Sequence, residues 1–90
     1  MQLKMRKHEG ASTYSERETW YEVVDDSGSR RGWVRRNRGN GSETFPWQAY
    51  RAGDERGPDG GPTVGDYVGA WYGAAGAKAD AMHAAAGLGP

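Results

Sequence analysis

The sequence predicts a small α+β domain: a three-stranded antiparallel β-meander packed against a C-terminal α-helix. Two patterns and one bound predict it. Strand-forming clusters around Trp20–Val24, Trp33–Val34 and Trp47–Tyr50 fall at hairpin spacing with turn residues between them. Val64, Val68, Trp71, Ala75 and Met82 then recur at helical spacing. A chain of 90 residues has room for one domain only.

Taken in order, residues 1–18 form an N-terminal segment, partly flexible or an edge strand, because Met1, Leu3 and Met5 alternate with Gln2, Lys4 and Arg6. His8 to Ser15 reads as loop. The domain proper spans residues 19–87 and begins with a strand at Trp20 to Val24. Asp25-Asp26-Ser27-Gly28 carries turn chemistry. Arg31 to Arg36 is the second strand, and Asn40-Gly41 suits a type I′ hairpin turn. Thr44 to Arg51 is the third strand, with Pro46 at an edge or bulge because it lacks an N–H. Ala52 to Pro62 is rich in Gly, Pro and Asp and reads as a surface loop.

A helix is expected over residues 63–86, opened by Thr63 as N-cap with Asp66 three residues on and closed by Gly87. Residues 88–90 are a frayed tail. Gly65, Gly69, Gly73 and Gly76 fall in one strip of this helix, and each interior glycine costs about 1 kcal/mol relative to alanine. Three readings stay open: codon drift on a solvent face, close backbone approach to the sheet or a partner helix, and a break near Gly73–Gly76 that leaves two shorter helices. Val23, Val34, Phe45 or Tyr50, Val68 and Trp71 are the expected core.

Composition narrows the function. Leu, Ile, Val and Phe together number only 8 of 90, a level seen in disordered chains. A net charge of zero and ten aromatic residues argue for a folded, aromatic-stapled domain instead. The absence of cysteine excludes disulfides and thiolate zinc sites. No run approaches the roughly 20 apolar residues of a membrane span, and no apolar core follows Lys4, Arg6 and Lys7 as in a signal peptide. The expected location is cytoplasmic.

Nothing in the chain carries a catalytic signature. His8 and His83 share no metal-ligand spacing, and no serine nucleophile motif occurs. Gly60 to Gly65 precedes the expected helix but lacks the lysine of a phosphate loop. Asn40-Gly41-Ser42 fits an N-glycosylation pattern, but the hairpin reading is preferred. No enzyme activity, cofactor, metal or small-molecule substrate is indicated.

The strongest chemical feature is Arg30, Arg31, Arg35, Arg36 and Arg38 around Trp33. Strand alternation groups Arg31, Trp33 and Arg35 on one face and Gly32, Val34 and Arg36 on the other. With Val34 facing the helix, Trp33 stands outside between guanidinium groups. Together with Arg51, these residues (Arg31, Trp33, Arg35, Arg36 and Arg38) form a candidate surface for nucleic acid or an acidic partner. In the competing reading Trp33 is core and the arginines are a solvated face balanced by Glu22, Asp25 and Asp26. A second candidate is an association face on the helix: Gly65, Val68, Gly69, Trp71, Tyr72 and Gly73.

The string Trp20…Val23-Val24-Asp25…Gly28…Gly32-Trp33-Val34-Arg35…Trp47-Gln48-Ala49-Tyr50…Gly53…Pro62-Thr63 resembles small uncharacterised proteins of actinobacteria and their phages. The likeness covers Trp20 to Trp71. It implies an accessory protein of a phage or mobile element in the cytoplasm of a bacterial host, and it brings no catalytic residues. An excess of Arg over Lys, abundant Gly and Ala, and no Ile fit the GC-rich codons of such an origin. At the level of fold, the expected meander and helix are also similar to arm-type DNA-binding domains of phage integrases, which implies Arg31, Trp33, Arg35 and Arg51 as readers. The resulting expectation is a non-enzymatic binding protein acting through a protein partner or as a homo-oligomer, with nucleic-acid binding as the alternative.

Overall fold

The computed structural model describes residues 2–8, 18–37, 46–72 and 76–88. Among them the chain forms five strands and one helix: β1 (Lys4–Lys7), β2 (Glu18–Val24), β3 (Arg30–Asn37), β4 (Trp47–Arg56), β5 (Pro62–Trp71) and α1 (Ala77–Ala85). The strands make one antiparallel sheet in the order β1-β2-β3-β4-β5. The fold is therefore α+β with a C-terminal helix, as expected, but the meander has five strands rather than three. The N-terminal alternation is an edge strand, and Asp25 to Gly28 is a turn with Gly28 at φ 84°. The Asn40-Gly41 turn, Phe45, Ala75, Arg38 and Gly73 lie outside the described residues.

Residues 52–72 depart most from the expected elements. The expected loop contributes its first residues to β4 and narrows to a turn at 57–61, and the first half of the expected helix is β5. Thr63 therefore caps no helix. Val64, Tyr67, Val68 and Trp71 are β-branched or aromatic, and they pair with a neighbouring strand at lower conformational cost than a glycine-interrupted helix. Helical spacing misled because β5 is bulged. Ala49 pairs with Gly69 but Tyr50 pairs with Tyr67, so Val68 is the extra residue and the two-residue period is lost. Gly65 does lie close to a neighbouring backbone, but within a strand rather than on the expected helix: an added Cβ would lie 2.8 Å from the Arg51 carbonyl oxygen on β4.

Register assigns the two faces. Met5, Val23, Gly32 and Arg51 form one transverse row; Tyr21, Val34, Ala49 and Gly69 form the next, and both face α1. Val34 thus faces the helix, as the alternation predicts. Arg6, Glu22, Trp33, Tyr50 and Tyr67 form a row on the opposite face. Val23 and Val34 belong to the core, as expected, with Leu3, Trp47, Ala49 and the helix alanines, and Trp71 packs against it; Val68 is exposed instead.

Helix α1 buries Ala77, Ala81, Ala84 and Ala85, an i, i+4, i+7, i+8 stripe. A helix of nine residues is not stable alone, so the sheet must hold it. Alanine lets its backbone come close: a Cβ added at Gly32 would sit 2.2 Å from the Ala85 carbonyl oxygen. Gly76 and Gly87, at φ 83° and 78°, bracket the helix, so the expected closure at Gly87 stands. No helix among the described residues is long and apolar enough to cross a membrane.

Gly32→Ala should therefore destabilise the domain by about 1–3 kcal/mol through forced displacement of α1. Urea unfolding checks this, and an unchanged midpoint would show that the helix does not dock there.

Candidate functional site

The face opposite α1 is organised around Arg30. Its Nε donates to Glu22 Oε2 at 2.8 Å and its Nη2 to the same oxygen at 2.5 Å. Nη2 also donates to Asp59 Oδ2 at 2.6 Å, and Nη1 to the Pro62 carbonyl oxygen at 2.9 Å. The guanidinium carbon lies 4.5 Å from the Trp33 ring centroid, a cation–π distance. Arg30 reaches this position because the β2–β3 register shifts at its end: Val23 pairs with Gly32, but Val24 pairs with Arg30. Arg31 is the residue left over, and its Nε donates to Asp25 Oδ2 at 2.7 Å.

The turn joining β4 and β5 thereby folds over the sheet. His8, at the end of β1, bonds through Nε2 to Asp59 Oδ2 at 3.1 Å and meets Trp33 edge-on, with centroids 5.0 Å apart at 78°. Trp33 retains only 3% exposure. A cavity of about 410 Å³ remains beside it, lined by His8, Arg30, Trp33, Pro58, Pro62 and Val64 among others. From Trp33 an aromatic series runs along and across the strands: Trp20 at 6.3 Å from Trp33, Tyr50 at 5.2 Å from Trp20, and Tyr67 at 5.3 Å from Tyr50.

Charges here are matched. Burial raises the Glu22 carboxyl, but hydrogen bonds from Arg30 and Arg6 outweigh it and hold the group below its ordinary range. Burial likewise opposes the charge on Arg30, and bonds to Asp59 and Glu22 outweigh it, raising the guanidinium. Asp59 is held far below the carboxylate range by Arg30, then His8 and the Gly61 N–H. Asp25 is lowered in the same direction, first by the Ser27 hydroxyl, against burial, with Arg31 and backbone N–H groups adding to it. His8, Glu22 and Asp59 place donor atoms within 4.8 Å of one another, a spacing that would suit a metal ion. The arginines already bonded to both carboxylates would have to be displaced, so the trio reads as a neutralised ion network.

The expected arginine surface is divided by the sheet. Trp33 is not outside between guanidinium groups; it is buried, as in the competing reading. Arg31 is tied to Asp25. Arg35 lies 5.8 Å from the Trp20 ring on the Trp33 side. Arg36 lies 4.4 Å from the Trp47 ring on the helix side. Arg51 is also on the helix side, where its guanidinium adjoins Gly87 at the helix C-terminus. There the partial negative charge favours a cation.

The second candidate face is also rearranged. Gly65, Val68, Gly69 and Trp71 lie in β5 and Tyr72 directly follows it, so they line an edge strand rather than a helical strip. Val64 is 38% exposed, Tyr67 55%, Val68 43% and Tyr72 67%. Sequence reasoning missed His8 and Asp59 as partners. They are 51 residues apart, and only the turn at Asp59-Gly60-Gly61 signalled that one of them stood at a chain reversal.

The lowered carboxyls of Glu22, Asp25 and Asp59 fix the sign of the acid response. Because the folded values lie below the unfolded ones, their stabilisation is complete above the unfolded values and is lost as pH falls. Urea midpoints should hold between about pH 7 and 5 and decline progressively below about pH 4. A midpoint unchanged to pH 2 would show that these ion pairs do not act on folding.

No family model, curated protein or solved structure matches this chain.

Proposed function

We propose that this chain is a non-enzymatic association module that pairs with a second copy of itself through the open edge of β5. One observation carries the reading: the two edges of the sheet are unlike. Edge β1 is four residues long and holds Lys4, Arg6 and Lys7, a charged, short edge of the kind that discourages pairing. Edge β5 is ten residues long, its one charged residue is Asp66, and it carries or adjoins Val64, Tyr67, Val68 and Tyr72, all exposed. Among the described residues no strand pairs with its outer side.

The strand is also complementary to itself. An antiparallel two-fold near Tyr67 keeps the two copies of Asp66, the one charged residue of the strand, out of register with each other, so no like charges face each other. Among the described residues the buried apolar set is Leu3, Val23, Val24, Trp33, Val34, Trp47 and five alanines, a modest core for one chain, and oligomerisation is a common remedy in domains of this size. The arginines of β3 support association over nucleic-acid binding, because Arg30 and Arg31 are engaged by Glu22, Asp59 and Asp25. We place the module in the cytoplasm of an actinobacterial host as a phage accessory protein, a setting supported by the resemblance across Trp20 to Trp71.

Light scattering at about 100 μM chain, well above a micromolar dissociation constant, should give a dimer mass. Val68→Lys with Tyr72→Lys alters exposed side chains only and should give a folded monomer. A monomeric mass for the native chain, or a dimer that survives both lysines, would overturn edge pairing.

A further inference from the structure

We propose that the polar cleft between the β2–β3 and β4–β5 turns binds the phosphate group of a small molecule, either free phosphate or a phosphate monoester. The cleft lies within one chain, so this site does not depend on the edge pairing above.

The cleft has a volume of about 820 Å³ and is walled by residues of both turns, with Arg6, Arg30, Arg31 and Arg56 among them. There is room beside the turns: a Cβ added at Gly28 or at Gly60 would meet nothing within 4 Å. The wall is close-packed where Arg30 enters it, since a Cβ added at Gly61 would lie 2.7 Å from Arg30 Nη1. A wall already formed takes up a ligand with little reordering.

Ion pairing within the cleft leaves cations over. Four guanidinium groups line it against three carboxylates, those of Glu22, Asp25 and Asp59. Glu22 takes Arg6 and Arg30, Asp59 takes Arg30, and Asp25 takes Arg31. Arg56 is exposed and pairs with no carboxylate among the described residues. Arg31 is half-exposed and bonded at Nε alone, which leaves its two terminal nitrogens to donate. The carboxylates of the two turns do not meet an incoming anion bare. Asp25 accepts from the Ser27 hydroxyl and the Ser27 and Ser29 N–H groups, and Asp59 from Arg30 and the Gly61 N–H.

Phosphate fits this donor set better than carboxylate. A carboxylate has two coplanar oxygens, which one guanidinium fork satisfies. A phosphate monoester has three terminal oxygens in a tetrahedral spread and carries close to two negative charges at neutral pH, so it takes two forks at once. Arg31 follows one turn and Arg56 precedes the other, and neither is among the bonds by which Arg30 holds the hairpin. The excess of four cations over three carboxylates suits one phosphate group rather than a polyanion, whose binding draws on many cations.

Inorganic phosphate and phenyl phosphate serve as probes, with acetate as the carboxylate control, at about pH 7 and fixed ionic strength. Backbone amides of residues 27–31 and 56–61 are followed in ¹H–¹⁵N spectra up to about 20 mM probe. Expected is a saturable shift in both turns with at least one phosphate probe and an affinity for acetate at least roughly fivefold weaker. Tighter binding of phenyl phosphate assigns the site to an ester, and binding no tighter than inorganic phosphate assigns it to the free ion; either result upholds it. Arg56→Gln removes an exposed guanidinium and breaks no ion pair, so it should leave the protein folded and weaken phosphate about three- to tenfold. Arg36→Gln, on the helix side of the sheet, should leave phosphate binding unchanged. No saturable shift with either phosphate probe, acetate binding as tight as phosphate, binding undiminished in Arg56→Gln, or an equal loss in Arg36→Gln would overturn the proposal.

Discussion

The arrangement of this domain depends on the Arg30 guanidinium. One side chain, nearly enclosed, ties β2 through Glu22, the β4–β5 turn through Asp59 and the Pro62 carbonyl, and β3 through the Trp33 ring over which it lies. Glu22 is buried and would be costly without a cation; Arg30 and Arg6 supply two. Removing Arg30 would leave a buried carboxylate short of a partner and release the turn. The network acts through position as much as through energy, because it decides where the long hairpin goes. Bent over the sheet, the hairpin encloses Trp33 and shapes the cavity; unbent, it would leave that indole in water.

A chain so poor in large aliphatic residues buries its two sheet faces by different means. Against one face lies a nine-residue helix with an alanine stripe, drawn close enough that Gly32 tolerates no side chain. Against the other, His8 and Trp20 meet Trp33 edge to face, Tyr50 and Tyr67 continue the series at tilted angles, and the hairpin turn closes over Trp33. Small residues achieve burial by approach, and large rings by area. The exposed aromatic and β-branched residues of β5 are what neither device covers, and they lie along the one long, nearly uncharged edge of the sheet.

Much of this was legible in the sequence, for reasons that mark where legibility ends. The first two strands and the Asp25 to Gly28 turn are set by neighbours along the chain, and the orientation of Val34 follows from simple alternation. β5 was not legible as a strand because its bulge at Val68 restores an apparent helical period, and its pairing with β4 is a tertiary fact. The break considered near Gly73–Gly76 would leave two shorter helices; instead residues to Trp71 are strand and those from Ala77 to Ala85 are helix. The arginine cluster was visible, but its partners were not. Glu22 and Asp59 meet Arg30 from 8 and 29 residues away, and no local pattern encodes which cation they take.

The Arg30–Asp59 contact holds the turn closed over Trp33. Hydrogen exchange of the Trp33 indole N–H in Asp59→Asn tests it most directly, because Asp59 is part-exposed and the substitution leaves Glu22 paired. The expected result is faster exchange of that N–H and of the amides at residues 57–61, with β2 and β3 amides unchanged. Protection of the Trp33 indole equal to that in the native chain would contradict the account.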